Sequence, residues 1–239
     1  MLINTENLDF KKLNEIIRNS EEDIEITKCL GQRFIASGLC GKKIKISGVP
    51  GNALGAYLNG AEISVFGNAQ DAVGDTMNDG KIFIHGNVGD AAGYAMRGGK
   101  IFIEKDAGYR AGIHMKAYED KNPALIIGGV AGSFLGEYQA GGTIIVLGIG
   151  AGEKNIVGNF PCTGMHGGKM YLKGKCDNID FPKQVTTHLA SSEEKKEIYG
   201  LISEFCKVFD LCADKILESD FTVVLPDTKN PFKRMYVAN

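Results

Sequence analysis

Residues 44–100 read IKISGVPGNALGAYLNGAE (44–62), ISVFGNAQDAVGDTMNDGK (63–81) and IFIHGNVGDAAGYAMRGGK (82–100), three 19-residue segments with no residue between them. Self-similarity at a fixed short period is the signature of a repeat architecture, and it decides the fold. Further copies start at Ile101, at Leu125 after five extra residues near 117–123, at Ile144, and, shortened, at Met170 after a longer insertion. A weaker copy from Ile24 opens the array. Each begins with an apolar alternation such as Ile82-Phe83-Ile84 and then sets glycines at nearly fixed offsets, Gly48, Gly51, Gly55 and Gly60 in one copy, Gly86, Gly89, Gly93 and Gly99 in another. The pattern reads as strand, turn, strand, turn. A unit this short cannot hold a helix pair, and stacked copies bring equivalent residues to about 4.8 Å from one another. The sequence therefore predicts an all-β fold, a parallel β-helix of seven or eight rungs. Its inner columns are Ile44, Ile63, Ile82, Ile101 and Ile144, then Ile46, Val65, Ile84, Ile103 and Val146, then Leu58, Met77, Met96, Met115 and Met165.

Working outward, 31 of the 32 glycines fall within residues 31–174, and only Gly200 lies beyond. With 27 Lys+Arg against 29 Asp+Glu the net charge is -2, which gives no bulk attraction to nucleic acid or an anionic membrane. A 44% hydrophobic content excludes a disordered chain. Residues 124–152 carry only one charge, Glu137, but are glycine-rich and contain two copies of the repeat, so they read as buried rungs rather than a membrane span. The opening MLINTENLDFKKLNEIIRNS lacks the apolar run of a secretory signal, so a cytoplasmic protein is expected. The six cysteines form no C-x-x-C pair and read as free thiols in a reducing compartment.

Three regions follow. Residues 1–23 hold a short helix over 7–19, with Phe10, Leu13, Ile16 and Ile17 on one face, placed to plug the open end of the coil. Residues 24–176 are the β-helix. Residues 177–239 hold a longer helix after a capping box at Ser191 and Glu194, broken near Asp210 and able to cap the coil or pack along it, then an extended tail that includes FTVVLP and a polar end.

No catalytic, cofactor-binding or metal-ligating set emerges from the spacing. The methionine column suits a soft-metal path or an adaptable binding surface, but one residue per rung is what a core column requires. Asn68, Asn87 and Asp106 share one offset and read as a turn-stabilising polar ladder rather than a ligand cleft. The run LGIGAGEK (147–154) looks superficially like a dinucleotide-binding turn, yet Glu153 stands where the third glycine belongs and no amphipathic helix follows. His85, His114, His166 and His188 share no ladder position, which speaks against zinc held between rungs. The decorated runs GYAMRGG (93–99) and GYRAGIHM (108–115) remain; they nominate Tyr94, Arg97, Tyr109, Arg110 and His114 as a protein–protein interface.

The runs GNAQDAVGDTMNDGKIFIHG, GDAAGYAMRGGKIFI, GYRAGIHM, FLGEYQAGG and TGMHGGKMY resemble the C-terminal glycine-repeat (GXGXG) domain of the large subunit of glutamate synthase, above all its stand-alone form. A related repeat occurs in a subunit of formylmethanofuran dehydrogenase. The resemblance covers residues 31–174 strongly and implies a right-handed β-helix with a scaffolding role. In that family glutamine is hydrolysed in an amidotransferase part with an N-terminal cysteine. Ammonia then passes to an FMN-binding synthase part that makes glutamate from 2-oxoglutarate. The resemblance thus implies a non-catalytic assembly subunit with no cofactor of its own. FMN and an iron–sulfur cluster would belong to the synthase polypeptide, with the amidotransferase and synthase polypeptides as partners and a homo-oligomer left open. The rival readings are a β-helix subunit of a formylmethanofuran dehydrogenase-like complex and a free-standing β-helix enzyme, an acyltransferase or a zinc hydratase. Lys105 in place of a strand-end glycine and the insertion at 153–157 depart from the family pattern, so contacts there do not transfer.

Overall fold

A computed structural model describes residues 1–227; the polar end of the tail, 228–239, lies outside the described residues. Strands β1 (Leu2–Asn4), β2 (Ile24–Leu30), β3 (Lys43–Val49), β4 (Asn59–Phe66), β5 (Asp79–Ile84), β6 (Lys100–Ile103), β7 (Ala124–Ile127), β8 (Ala140–Val146) and β9 (Gly167–Lys173) stack parallel in chain order. From β2 to β9 each strand is one turn of the coil, which is the β-helix the repeat implies. The sheet closes with β10 (Val185–Leu189) and β11 (Phe221–Pro226), antiparallel, in the order β9-β11-β10. Among the described residues no helix is long and apolar enough to cross a membrane.

The register is the one the repeat dictates. Ile24 pairs with Ile44, and the column continues through Ile63, Ile82, Ile101, Leu125 and Ile144 to Met170. These side chains are buried, as is the methionine column. Full burial of each aliphatic side chain contributes roughly 1.5–3 kcal/mol, and a one-residue slip would turn every one of them to the other face.

The expected second strand of each rung is largely absent. Only single parallel bridges, Ala69 to Val88 to Ala107 to Ala131 to Val157, mark its place. The chain then enters a run in which every second residue is left-handed: Ala91, Gly93 and Ala95 have φ of 58°, 71° and 49°. The same trio recurs at 34/36/38, 53/55/57, 72/74/76, 110/112/114, 134/136/138 and 160/162/164. This alternation points backbone groups along the coil axis in both directions. The Ala91 N–H donates to the following rung (Tyr109 O, 2.8 Å), that of Gly93 to the preceding one (Val73 O, 2.8 Å), and that of Ala95 again to the following one (Ile113 O, 2.9 Å). A side with no regular strand is thus hydrogen-bonded from rung to rung.

Both flanks differ in how they pack. Helix α1 (Phe10–Asn19), capped by Asp9, buries Leu13 and Ile17 against the first rung and closes that end of the coil. Lys42 Nζ donates to its last carbonyls, including that of Ile17 at 2.9 Å. Helix α2 (Ser192–Val208), with the capping box at Ser191 and Glu194, runs along the coil. Its Ile198, Ile202 and Phe205 cover an outer column of Phe102, Ile126 and Ile145. Strands β6 to β8 are therefore buried on both faces, which explains why residues 124–152 are so apolar. The helix ends after Val208, as the sequence suggests, and α3 (Ala213–Leu217) follows.

Candidate interaction surface

The left-handed runs present three columns of side chains on one face of the coil. The first left-handed position of successive rungs is Phe34, Ala53, Ala72, Ala91, Arg110, Phe134 and Phe160. The third is Gly38, Tyr57, Thr76, Ala95, His114, Tyr138 and Gly164. Between them, just before the third, lie Asp75, Tyr94, Ile113 and Glu137. The middle left-handed glycines look inward instead: a Cβ on Gly74 would lie 2.4 Å from Ile101 Cδ1 and one on Gly112 2.5 Å from Ile144 Cδ1.

Four of the five residues nominated from sequence meet here. Tyr94 packs edge-on against His114 (6.0 Å), and His114 stacks on Tyr138 (5.1 Å, 7° between planes). Arg110 lies over the Phe134 ring at 5.0 Å, with its Nε 3.5 Å from Glu137 Oε2, and Phe134 stacks on Phe160 at 5.4 Å. Tyr109 projects beside Arg110 and is exposed. Arg97 lies over the Tyr118 ring at 6.0 Å and lines a shallow pocket with Tyr57, Asn59, Asn78 and Lys121, at the edge of the third column. Phe160 at 61%, Tyr57 at 55% and Tyr109 at 53% exposure keep large rings in water, which is uncommon without a partner.

The polar ladder is a structural device. Asn68 Oδ1 accepts from the Asn87 N–H (2.8 Å), Asn87 Oδ1 from that of Asp106 (3.1 Å), and Asp106 Oδ1 from that of Val130 (2.8 Å). Sequence reasoning missed a second ladder: Asp71 Oδ1 accepts from the Asp90 N–H (2.9 Å) and Asp90 Oδ1 from that of Tyr109 (2.8 Å). The 19-residue spacing of Asn52, Asp71 and Asp90 was the available signal. These ladders fix the corners and hold the backbone of Tyr109.

The histidines disperse. His85 stacks on Phe66 at 4.8 Å beside Glu104, His166 Nδ1 lies 3.0 Å from Gly164 O, and His188 pairs with Glu194 at 2.9 Å. Among the described residues no three His, Cys, Asp or Glu side chains converge as a metal site. The thiols are buried or scattered. Burial pushes the Cys162 thiol up to about 12, the reverse of what a nucleophile needs. A cleft of about 560 Å³ lies where the corner at Glu104, Lys105 and Asp106 meets the insertion loop and the end of α2 at Phe209. Its two anionic and two cationic side chains, with Lys154 the second cation, offset one another.

The comparisons agree with this architecture. The model of the GXGXG motif family matches residues 11–228, nearly the whole chain. An uncharacterized protein of Methanocaldococcus jannaschii is 44% identical over 236 residues, covering 95% of this chain and 90% of that relative. A glycine-spaced coil of this length, matched from α1 to the end of the closing sheet, makes the chain a member of the GXGXG motif family.

Proposed function

We propose that this chain is a non-catalytic assembly subunit of a glutamate synthase, holding amidotransferase and FMN-binding synthase polypeptides in register. The observation that carries the reading is the GXGXG family match over residues 11–228, taken with the resemblance of the same repeats to the glycine-repeat domain of glutamate synthase. The interior of the coil is filled by aliphatic and methionine columns, so its chemistry is that of a strut. The left-handed face, with Tyr94, Tyr109, Arg110 and His114, is the docking surface for those polypeptides. Exposed aromatic rings beside an arginine are the composition that carries binding energy at protein interfaces. Flavin and iron–sulfur chemistry belong to the synthase partner, and a reducing cytoplasm is the fitting compartment.

The test is assembly. Cognate amidotransferase and synthase polypeptides should co-elute with this chain on a sizing column, and Arg110→Asp should weaken that complex while leaving the isolated fold intact. Separate elution of all three polypeptides would reject the reading.

A further inference from the structure

Three departures from the repeat meet in one place. Six rungs end their strand on glycine, at Gly48, Gly67, Gly86, Gly129, Gly148 and Gly174, whereas the rung that starts at Ile101 carries Lys105 there. The second departure is the loop inserted after Gly148. The third is the end of α2, where Asp210 turns left-handed (φ 55°) and the Leu211 N–H folds back onto Cys206 O at 2.9 Å. Lys105, the loop residues Ile149 and Lys154, and Phe209 and Leu211 all line the cleft of about 560 Å³. Insertions in a repeat array often map to its binding face. Both walls are fixed by contacts of their own. The Gly148 and Ile149 N–H groups donate to Gly129 O (3.0 Å) and Gly128 O (2.7 Å) of the preceding rung, and the Lys154 N–H to Ala151 O (3.1 Å). The Phe209 ring packs edge-on against His85 at 5.0 Å and against Phe205 at 4.7 Å.

The four charges of the cleft cancel in sum but not in bonding. Glu104 lies 3.9 Å from His85, and Asp106 Oδ1 accepts the Val130 N–H, so both carboxylates serve the fold. Among the described residues the ammonium groups of Lys105 and Lys154 have no hydrogen-bond or ion-pair partner, and neither has the Gly150 N–H in the same cleft. Ile149 and Leu211 are 41% and 40% exposed, so apolar surface lies beside these unused donors. We propose that the cleft binds a small carboxylate with an apolar body, its charge held by Lys105 and Lys154 and its body against Ile149, Phe209 and Leu211. A single negative charge fits better than a phosphate dianion, because Glu104 and Asp106 line the same cleft and repel added charge. The volume and the mixture of apolar wall with a few polar groups are those of a small-molecule site. Binding needs one polypeptide only and does not rest on the assembly reading above.

Titration of the full 239-residue chain with phenylacetate, followed by NMR of the isoleucine and leucine methyl groups, tests the proposal. The Ile149 and Leu211 methyls should shift saturably, with a Kd below about 1 mM. Phenylethyl alcohol, which keeps the body without the charge, and acetate, which keeps the charge without the body, should each bind at least about tenfold more weakly. The double variant Lys105→Gln/Lys154→Gln should bind phenylacetate no better than the alcohol, while Lys105→Arg/Lys154→Arg should retain binding. Unchanged shifts of the buried Ile101 and Ile144 methyls in both variants separate a lost site from a lost fold. An alcohol that binds as tightly as the acid, acetate or inorganic phosphate that does so, a double glutamine variant that still binds, or a parent with no shift at about 10 mM phenylacetate would overturn the proposal.

Discussion

Asn14 Oδ1 accepts the Ala36 N–H at 3.1 Å, and that bond stands in for a missing rung. In every later rung the middle left-handed residue donates to the coil before it, as Gly55 does to Ile35 O and Gly74 to Leu54 O. Ala36 belongs to the first rung and has no coil before it. The α1 side chain satisfies the orphan, while Asn14 Nδ2 donates to Phe10 O at 2.8 Å. A cap of this kind ends the repeat without leaving a buried donor unpaired.

Asn14→Ala should therefore cost about 1–3 kcal/mol, the penalty of a buried unsatisfied amide, because Ala36 is only 1% exposed. Denaturant unfolding measures this. A loss near zero would mean that the end of the coil is not sealed by α1.

The polar ladders give a sharper test. Gly89 has an ordinary backbone, yet a Cβ there would lie 2.0 Å from Asp71 Oδ1. The glycine is required by the carboxylate of the rung before it. Gly89→Ala should destabilise by more than about 1 kcal/mol through overpacking. In the Asp71→Ala background the same substitution should cost less, a coupling that a double-mutant cycle resolves. Strict additivity would contradict the ladder.

Much of this architecture was legible in the repeat. The column from Ile24 to Met170 aligns as the repeat requires even where a rung is longer than 19 residues, because inward-facing residues in a stacked coil have no freedom to shift. The left-handed runs were not legible, since Ala91, Arg110 and Tyr138 are residue types that usually avoid positive φ; here bonds to the rungs above and below hold them. The same blindness hid the face itself. Tyr94, Arg110 and His114 were picked out by composition, whereas Phe134, Tyr138 and Phe160, which complete the surface, sit behind two insertions that shift their spacing to 24 and 26 residues. Arg97, nominated with them, lies over Tyr118 and shares a pocket with Tyr57 of the third column. Strand β1 was missed because three residues carry too little period to read.

Helix α2 is latched by charge. Burial pushes the Glu204 carboxyl up, but hydrogen bonds from Lys100 (2.7 Å) and Lys81 outweigh it and hold the group below its ordinary 4.5. A lowered carboxyl stabilises the fold above its unfolded value, and that contribution fades as pH falls through the lower folded value. The helix should therefore loosen below about pH 4.5, seen as faster amide exchange in α2 while the inner strands stay protected. Glu204→Gln should reproduce the loosening at neutral pH and flatten the acid dependence. Unchanged exchange in α2 would show that apolar packing alone holds it.

Glycines inside and outside the coil should respond with opposite sign. Gly200 sits in α2 with nothing within 4 Å of the place a methyl group would take, so Gly200→Ala should stabilise by roughly 0.5–1 kcal/mol. Gly74, at φ 67° and aimed at Ile101, should lose more than that on the same change through strain and crowding. Thermal melts of the two variants decide, and shifts in the same direction would contradict the assignment of Gly74 to the core.

If this chain, as proposed, couples two active sites that lie in other polypeptides, its effect falls on the ammonia that passes between them. Ammonia at neutral pH is mostly ammonium and is lost if the passage between those sites leaks, so coupling depends on how the catalytic parts are held. The direct measurement is the ratio of glutamine-dependent to ammonia-dependent glutamate formation by cognate amidotransferase and synthase polypeptides, with and without this protein. The protein should raise the glutamine-dependent rate far more than the ammonia-dependent one; an unchanged ratio would contradict the proposed coupling.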